Sequence, residues 1–192
     1  MKKTLLTLLF SGLVLITTAQ NDEWQFGLGF GSFQEIAVRN QKHPLYEVAQ
    51  SFGESNVSYV YSATGPIRIG YRSHENKHFL LGADFSYTNN GVQTKSSSGK
   101  ISNSNFYHYT LMASTSYKYI DNPNLVVYSG VDFGVCYMNA KNQETERKIN
   151  TITAAYQLNF VGIRYGQKLG GFAELGMGFN GFLSGGIFYR VF

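Results

Sequence analysis

The chain has 192 residues, 43% of them hydrophobic and 15% charged, with 16 Lys and Arg against 12 Asp and Glu. Its 21 Gly, 14 Tyr and 15 Phe against three Pro make a strand-rich composition, since aromatics favour strands and glycine within them marks bends or close quarters. The single Cys136 excludes an internal disulfide and a cysteine metal cluster, and the lack of 18 consecutive apolar residues after residue 19 excludes a helical membrane protein.

Residues 1–19 read as a secretory signal peptide. "MKK" is the positive region and "TLLTLLFSGLVLI" the apolar core. Thr17 and Ala19 occupy the minus-three and minus-one positions, so cleavage is expected after Ala19. The apolar run falls short of the about 20 residues that a spanning helix needs. No cysteine follows it, so a lipid anchor at this point is excluded. Taking Lys2 and Lys3 from the 16 basic residues leaves 14 against 12 acidic ones, and the net charge drops from +4 to +2. Basicity therefore implies no nucleic-acid partner. Removing 19 of the 192 residues leaves 173, residues 20–192, which suits one domain.

The remaining chain alternates apolar and polar residues throughout. Eight strands are expected, at about 24–33, 57–72, 79–89, 105–120, 125–139, 151–165, 171–179 and 182–192. Several reach the about 9–11 residues that cross a bilayer as a tilted strand. The links alternate in length. Those at 34–56, 90–104 and 140–150 are long and polar, whereas 73–77, 121–124 and 166–170 are short. Outer-membrane barrels join strands this way, with long loops outside and tight turns in the periplasm. The link Asn180-Gly181 is a short exception and signals a hairpin. A short helix around Leu45 to Phe52 is expected in the first loop, and "ETERK" (144–148) reads as a solvated loop tip.

The first segment, "WQFGLGFGSF", places Gly27, Gly29 and Gly31 on one face and Trp24, Phe26, Leu28 and Phe30 on the other. A phosphate-cradling fingerprint would need a helix directly after the glycines inside a strand–helix–strand unit. "SFQE" and a loop are expected there instead. The third segment separates Phe79, Leu81, Ala83, Phe85 and Tyr87 from Leu80, Gly82, Asp84, Ser86 and Thr88. In the fourth, Tyr107, Tyr109, Leu111, Ala113, Thr115, Tyr117 and Tyr119 oppose Phe106, His108, Thr110, Met112, Ser114, Ser116 and Lys118. In the fifth, Leu125, Val127, Val131, Phe133, Val135 and Tyr137 oppose Gly130, Asp132, Gly134 and Cys136.

A soluble barrel with its apolar face inward would also alternate in this way. Two features favour the reverse. The polar faces carry Gly, Ser and Thr with isolated charges rather than the Lys and Glu of a soluble surface, and an eight-stranded lumen has room for little else. Aromatics also gather at the ends of the apolar faces: Trp24, Tyr71, Phe79, Tyr117, Tyr119 and Phe172 near the short turns, and Tyr59, Tyr61, Tyr87, Tyr107, Tyr109, Tyr137 and Tyr156 near the long loops. Such girdles suit the headgroup levels of a bilayer.

The inward parity collects Arg68 and Arg72, Asp84, His108 and Lys118, Asp132 and Glu174 into a lumen charge network, basic and acidic strands alternating. Arg164 joins it only if a bulge at Gly162 switches the parity of its strand. Buried charges must be paired, so the network reads as a plug of salt bridges or as a gate for small solutes. As an enzyme, the best candidate set is His108 with Thr110 or Ser114 and with Asp84 on the adjacent strand. It lacks a demonstrated nucleophile–base geometry. His43, His74 and His78 are scattered, so neither a metal site nor a cofactor is expected.

The chain ends in "SGGIFYRVF". Ser184, Gly186, Tyr189 and Val191, followed by Phe192, resemble the terminal assembly signal of outer-membrane barrels, with Val191 intervening where many such chains have Arg. With the cleavage site in "TTAQ", the chain resembles the small outer-membrane β-barrel family of Bacteroidetes, porin-like and of the OmpA and OmpX type. The resemblance implies an all-β, eight-stranded, antiparallel up-and-down transmembrane β-barrel with periplasmic termini. It also implies recognition by the barrel-assembly machinery. The expected partners are outer-membrane lipid, that machinery and an extracellular partner that the sequence does not identify, with the chain a monomer in the cell outer membrane. The expected role is non-enzymatic, with surface loops for structural or interaction purposes. The alternatives are a narrow solute channel and, third, a lipid-modifying enzyme.

Overall fold

The computed structural model describes residues 22–39, 57–74, 77–96, 101–142 and 148–191. In chain order it contains β1 (Asp22–Phe30), α1 (Phe33–Arg39), β2 (Val57–Ala63), β3 (Ile67–Ser73), β4 (Phe79–Ser96), β5 (Ile101–Asp121), β6 (Leu125–Asn142), β7 (Lys148–Gly166), β8 (Leu169–Gly178) and β9 (Leu183–Val191). Every pairing is antiparallel. β1 pairs with both β3 and β9, and β4 with β5, so the sheet closes on itself. β2 and β3 lie along different stretches of the same neighbour, at residues 90–96 and 81–87 of β4. They are two halves of one interrupted strand, and the molecule is an eight-stranded up-and-down barrel.

The interruption at Thr64-Gly65-Pro66 divides the single segment expected over 57–72. Pro66 has no N–H for a ladder, and Gly65 takes a left-handed φ of 70°. The Pro66 carbonyl still accepts from Gly29 N at 2.8 Å, which ties the break to β1.

Four strands run further than expected. β4, β5, β6 and β7 span 18, 21, 18 and 19 residues and take up most of the links expected at 90–104 and 140–150. Their distal parts are polar on the outside, so apolar alternation ends before the strands do. Cross-strand amides hold these parts together, as in Asn139–Asn150 at 2.7 Å and Gln93–Asn103 at 3.3 Å. β8 pairs with β7 only from Gln157 onward, and β1 stops at Phe30. The sheet of β2 and β4–β7 therefore rises above the barrel rim on one side.

A helix, α1, does follow the glycines of β1, contrary to expectation. Ser32 and Glu35 cap it reciprocally: Ser32 N–H donates to the Glu35 carboxylate at 3.0 Å, and Glu35 N–H donates to the Ser32 hydroxyl at 3.4 Å. The strands on either side of α1 are antiparallel members of a closed ring rather than a parallel strand–helix–strand unit, so the dinucleotide fingerprint still fails. The expected helix at 45–52, the signal peptide with Ala19, most of "ETERK" and Phe192 lie outside the described residues.

Large apolar side chains face outward around the ring. Trp24, Phe26, Leu28 and Phe30 on β1, Leu81 and Phe85 on β4, Leu111 on β5, Phe133 at 68% exposure on β6 and Ile187 on β9 are examples. The interior is filled in layers. Leu80, Val126 and Tyr128 pack near the short turns, Met112, Cys136 and Ala155 farther along, and Val92, Phe106, Met138 and Ala140 near the long hairpins. Ionised side chains lie between them. Two girdle assignments need correction. Phe172 is buried, because it shares the inward parity of Glu174 on β8. Tyr61 packs against the inner cluster of Val92 and Phe106, because it stands directly opposite inward-facing Val92.

An Ala at position 65 must adopt φ near 70° and bring its Cβ against the Gly29 carbonyl. Gly65→Ala is expected to lower stability by at least about 1–2 kcal/mol, measured by urea unfolding of the refolded barrel.

Candidate functional site

The site is the lumen. Its first layer joins six strands. Arg72 on β3 donates to Asp84 on β4 at 2.5 Å and to the backbone carbonyls of Tyr71 and Ala83. Gln25 on β1 donates to the other Asp84 oxygen at 2.9 Å. Arg68 on β3 reaches Glu174 on β8 at 2.7 Å, across the barrel, and lies 4.0 Å from Asp84. Glu174 also accepts from the Tyr128 hydroxyl at 2.5 Å and from Ser184 at 3.1 Å. All four ionised side chains are essentially inaccessible to water, Asp84 at 0% and Arg72 at 1%.

A second layer lies toward the short turns. Arg164 on β7 pairs with Glu23 on β1 and donates to Gln25 at 2.8 Å. Arg190 on β9 meets the other Glu23 oxygen at 3.0 Å, and His74 Nε2 lies 3.2 Å from it. Burial first, and then the charges of Arg190 and Lys118, push the His74 imidazole down to about 4. The guanidiniums also stack. Arg68 and Arg164 lie over the Phe172 ring at 5.0 and 5.5 Å, and Arg164 over Tyr128 at 5.0 Å.

Of the seven charged residues that parity collects, Arg68, Arg72, Asp84 and Glu174 meet. The other three do not join them. Lys118 is turned to the short-turn end, where it pairs with Asp121 at 2.6 Å. Asp132 accepts from the Ser114 hydroxyl at 2.5 Å and has no ion pair among the described residues. His108 stands nearer the long hairpins, opposite Thr88 and Met138. Its ring nitrogens bond to neither Thr110, Ser114 nor Asp84, while Ser114 is held by Asp132 and Asp84 by Arg72 and Gln25. The candidate catalytic set is therefore not assembled. Among the described residues no group of three His, Cys, Asp or Glu side chains could hold a metal ion.

Parity reading missed Glu23, Gln25, Tyr128 and the firm place of Arg164. Gln25 and Glu23 continue the inward face of β1 one and two steps before the glycines and follow from extending the alternation. Arg164 depends on a bulge, which lies at Phe160–Val161 rather than at Gly162: Asn159 pairs with Gly176 but Val161 with the adjacent Leu175. Before the bulge Ala155, Gln157 and Asn159 face inward, and after it Gly162 and Arg164 do. Space for the network comes from Gly70, which lies opposite both Asp84 and Gln25; a Cβ there would run into both side chains.

On β9, Ser184 is buried against Glu174, Gly186 packs against the β1 backbone, and Tyr189 and Val191 face outward. The odd positions of this strand are therefore its outer face.

Fold and lumen together define a closed β-barrel with an apolar outside and an ionised, filled inside. No family model matches the chain, and no curated protein matches it. Among solved structures the chain is similar to Ail, the attachment invasion locus protein of Yersinia pestis. The two are 10% identical, the match covers 90% of this chain and 96% of that one, and the TM-score is 0.43.

Removing one partner of a buried ion pair strands the other charge, at a cost of about 3–5 kcal/mol. Glu174→Ala, which strips Arg68 of its 2.7 Å partner, is expected to reduce stability by about that amount in urea titration. Asp121→Ala, which removes the exposed partner of a pair at the short-turn end, should cost less than Glu174→Ala in the same titration.

Proposed function

We propose that this chain is an integral outer-membrane β-barrel without enzymatic activity, whose protruding sheet is its interaction surface. The observation that carries the reading is the inversion of polarity. Phe133, Leu111, Phe85 and Ile187 are exposed, while Arg68, Arg72, Asp84, Glu174, Arg164 and Glu23 are buried. In water that arrangement would leave a belt of exposed oil around the whole ring, whereas acyl chains satisfy it. Aromatic contacts at two levels support two interfacial girdles. Trp24–Tyr71, Phe79–Tyr117 and Tyr117–Tyr119 lie near the short turns, and Tyr87–Tyr109 and Tyr109–Tyr137 near the long hairpins.

The cross-braced lumen favours a rigid scaffold over a solute channel, because the ion pairs and rings span the bore. The unassembled His108 set favours a non-enzymatic role. Function then belongs to the sheet of β2 and β4–β7 above the rim and the loops it carries, which a stiff barrel holds in place. Export through the signal peptide, cleavage after Ala19 and recognition by the barrel-assembly machinery through the outward Tyr189 and Val191 of β9 belong to the same proposal. Replacing both of these residues by Ser should lower the amount assembled in the outer membrane while leaving refolding in detergent unchanged.

Outer-membrane fractionation with heat-modifiable gel migration tests the location. A heat-insensitive protein in the periplasmic fraction would sink it. In lipid vesicles, Phe133→Arg should cost about 2–4 kcal/mol in urea unfolding, whereas a soluble barrel would tolerate it. Planar bilayers should show no channel events, and regular conductance steps would replace the scaffold reading with a channel.

A further inference from the structure

The outer surface is not evenly convex. Across β4 to β7, near the short turns, it contains an open cleft of about 510 Å³ lined by Phe79, Tyr117, Tyr119, Leu158 and Phe160, with Ser129 between them. That volume lies within the about 300–1,000 Å³ of ligand pockets. Its origin is local. On β5 the register slips at Tyr119, since Lys118 pairs with Tyr128 but Ile120 with Val127. On β7 it slips at Phe160–Val161, since Gly130 pairs with Asn159 but Tyr128 with Gly162. Two bulges thus flank one small outward residue, bending the strands and re-aiming their rings on either side of it. The Ser129 hydroxyl donates to the Phe160 carbonyl, which satisfies this polar group and leaves an apolar trough.

We propose that this cleft holds one acyl chain of a membrane phospholipid as a resident ligand, an inference that rests on the membrane reading above. The cleft is continuous with the apolar belt, so in a bilayer the groups that reach it are acyl chains. Tyr117 and Tyr119 mark its end near the short turns, where their hydroxyls meet the headgroup level, and Val131 and Leu158 lie one step deeper. Among the described residues none that lines it is charged, so the site reads the chain and not the headgroup. Its walls are strand-borne rings, already placed before the ligand arrives, which limits the ordering cost of binding.

Native mass spectrometry of the full chain released from dioleoyl phosphatidylcholine or dioleoyl phosphatidylglycerol vesicles tests this. The wild type should carry one retained lipid per chain from either vesicle. Ser129→Phe, which fills the cleft from an outward position, should lose it, and Ser129→Ala should keep it. Trp24 is the only tryptophan and lies on β1, diametrically opposite β6 in the ring, so its quenching by brominated lipid reports insertion independently of the cleft. Quenched Trp24 with no retained lipid, or with equal retention by Ser129→Phe, overturns the acyl-chain site and leaves the membrane reading standing. A lipid-free dimer would give the cleft to a second copy and overturn it too. Unquenched Trp24 would remove the membrane reading itself.

Discussion

A narrow tube of eight strands has no room for bulk water around an ion, so a charge placed inside needs an opposite charge or a hydrogen-bond donor beside it. That constraint organises the molecule. Arg68, Arg72 and Arg164 face Glu174, Asp84 and Glu23; Glu174 takes further bonds from Tyr128 and Ser184, Asp84 from Gln25, and Glu23 from Arg190. The pairs are no gain over a hydrocarbon filling of equal shape, because desolvation offsets most of their attraction. What they impose is register: a strand shifted by one residue would turn its charges toward the apolar exterior.

Much of this was legible in the chain itself because a strand alternates with period two. The outward set on β4, β5 and β6, from Phe79 to Tyr137, follows from counting. The failures are also physical. Phe172 looks like a girdle residue by type, yet it has the parity of Glu174, and parity decides where a side chain points. The distal parts of β4–β7 carry Asn, Gln and Lys on the outside, so the apolar rhythm fades there, and cross-strand amide pairs hold them as strands. Helix α1 left a readable sign, Ser32 with Glu35 three residues on, that a search for barrel strands passes over. The meeting of Arg68 with Glu174 was beyond reach from one sequence, since it depends on which strands face each other across the bore.

The irregularity on β7 shows how one extra residue can serve both sides of a sheet. Inside, it changes the parity so that Arg164 reaches Glu23 and Gln25. Outside, it sets Phe160 beside Ser129 and opens the trough. A strictly regular strand would have aimed the Arg164 guanidinium outward with Leu158, among the exposed apolar side chains.

Glu23 lies on the first strand, while both of its guanidinium partners come late in the chain, Arg164 on β7 and Arg190 on β9. The Glu23 carboxylate meets Arg190 only where the first and last strands lie side by side along their seam. An open, curled sheet would have to carry an uncompensated carboxylate at one end and uncompensated cations at the other. The β1–β9 seam is thus held by a charge contact as well as by its backbone ladder, and the two ends of the chain are tied at the same level of the cylinder.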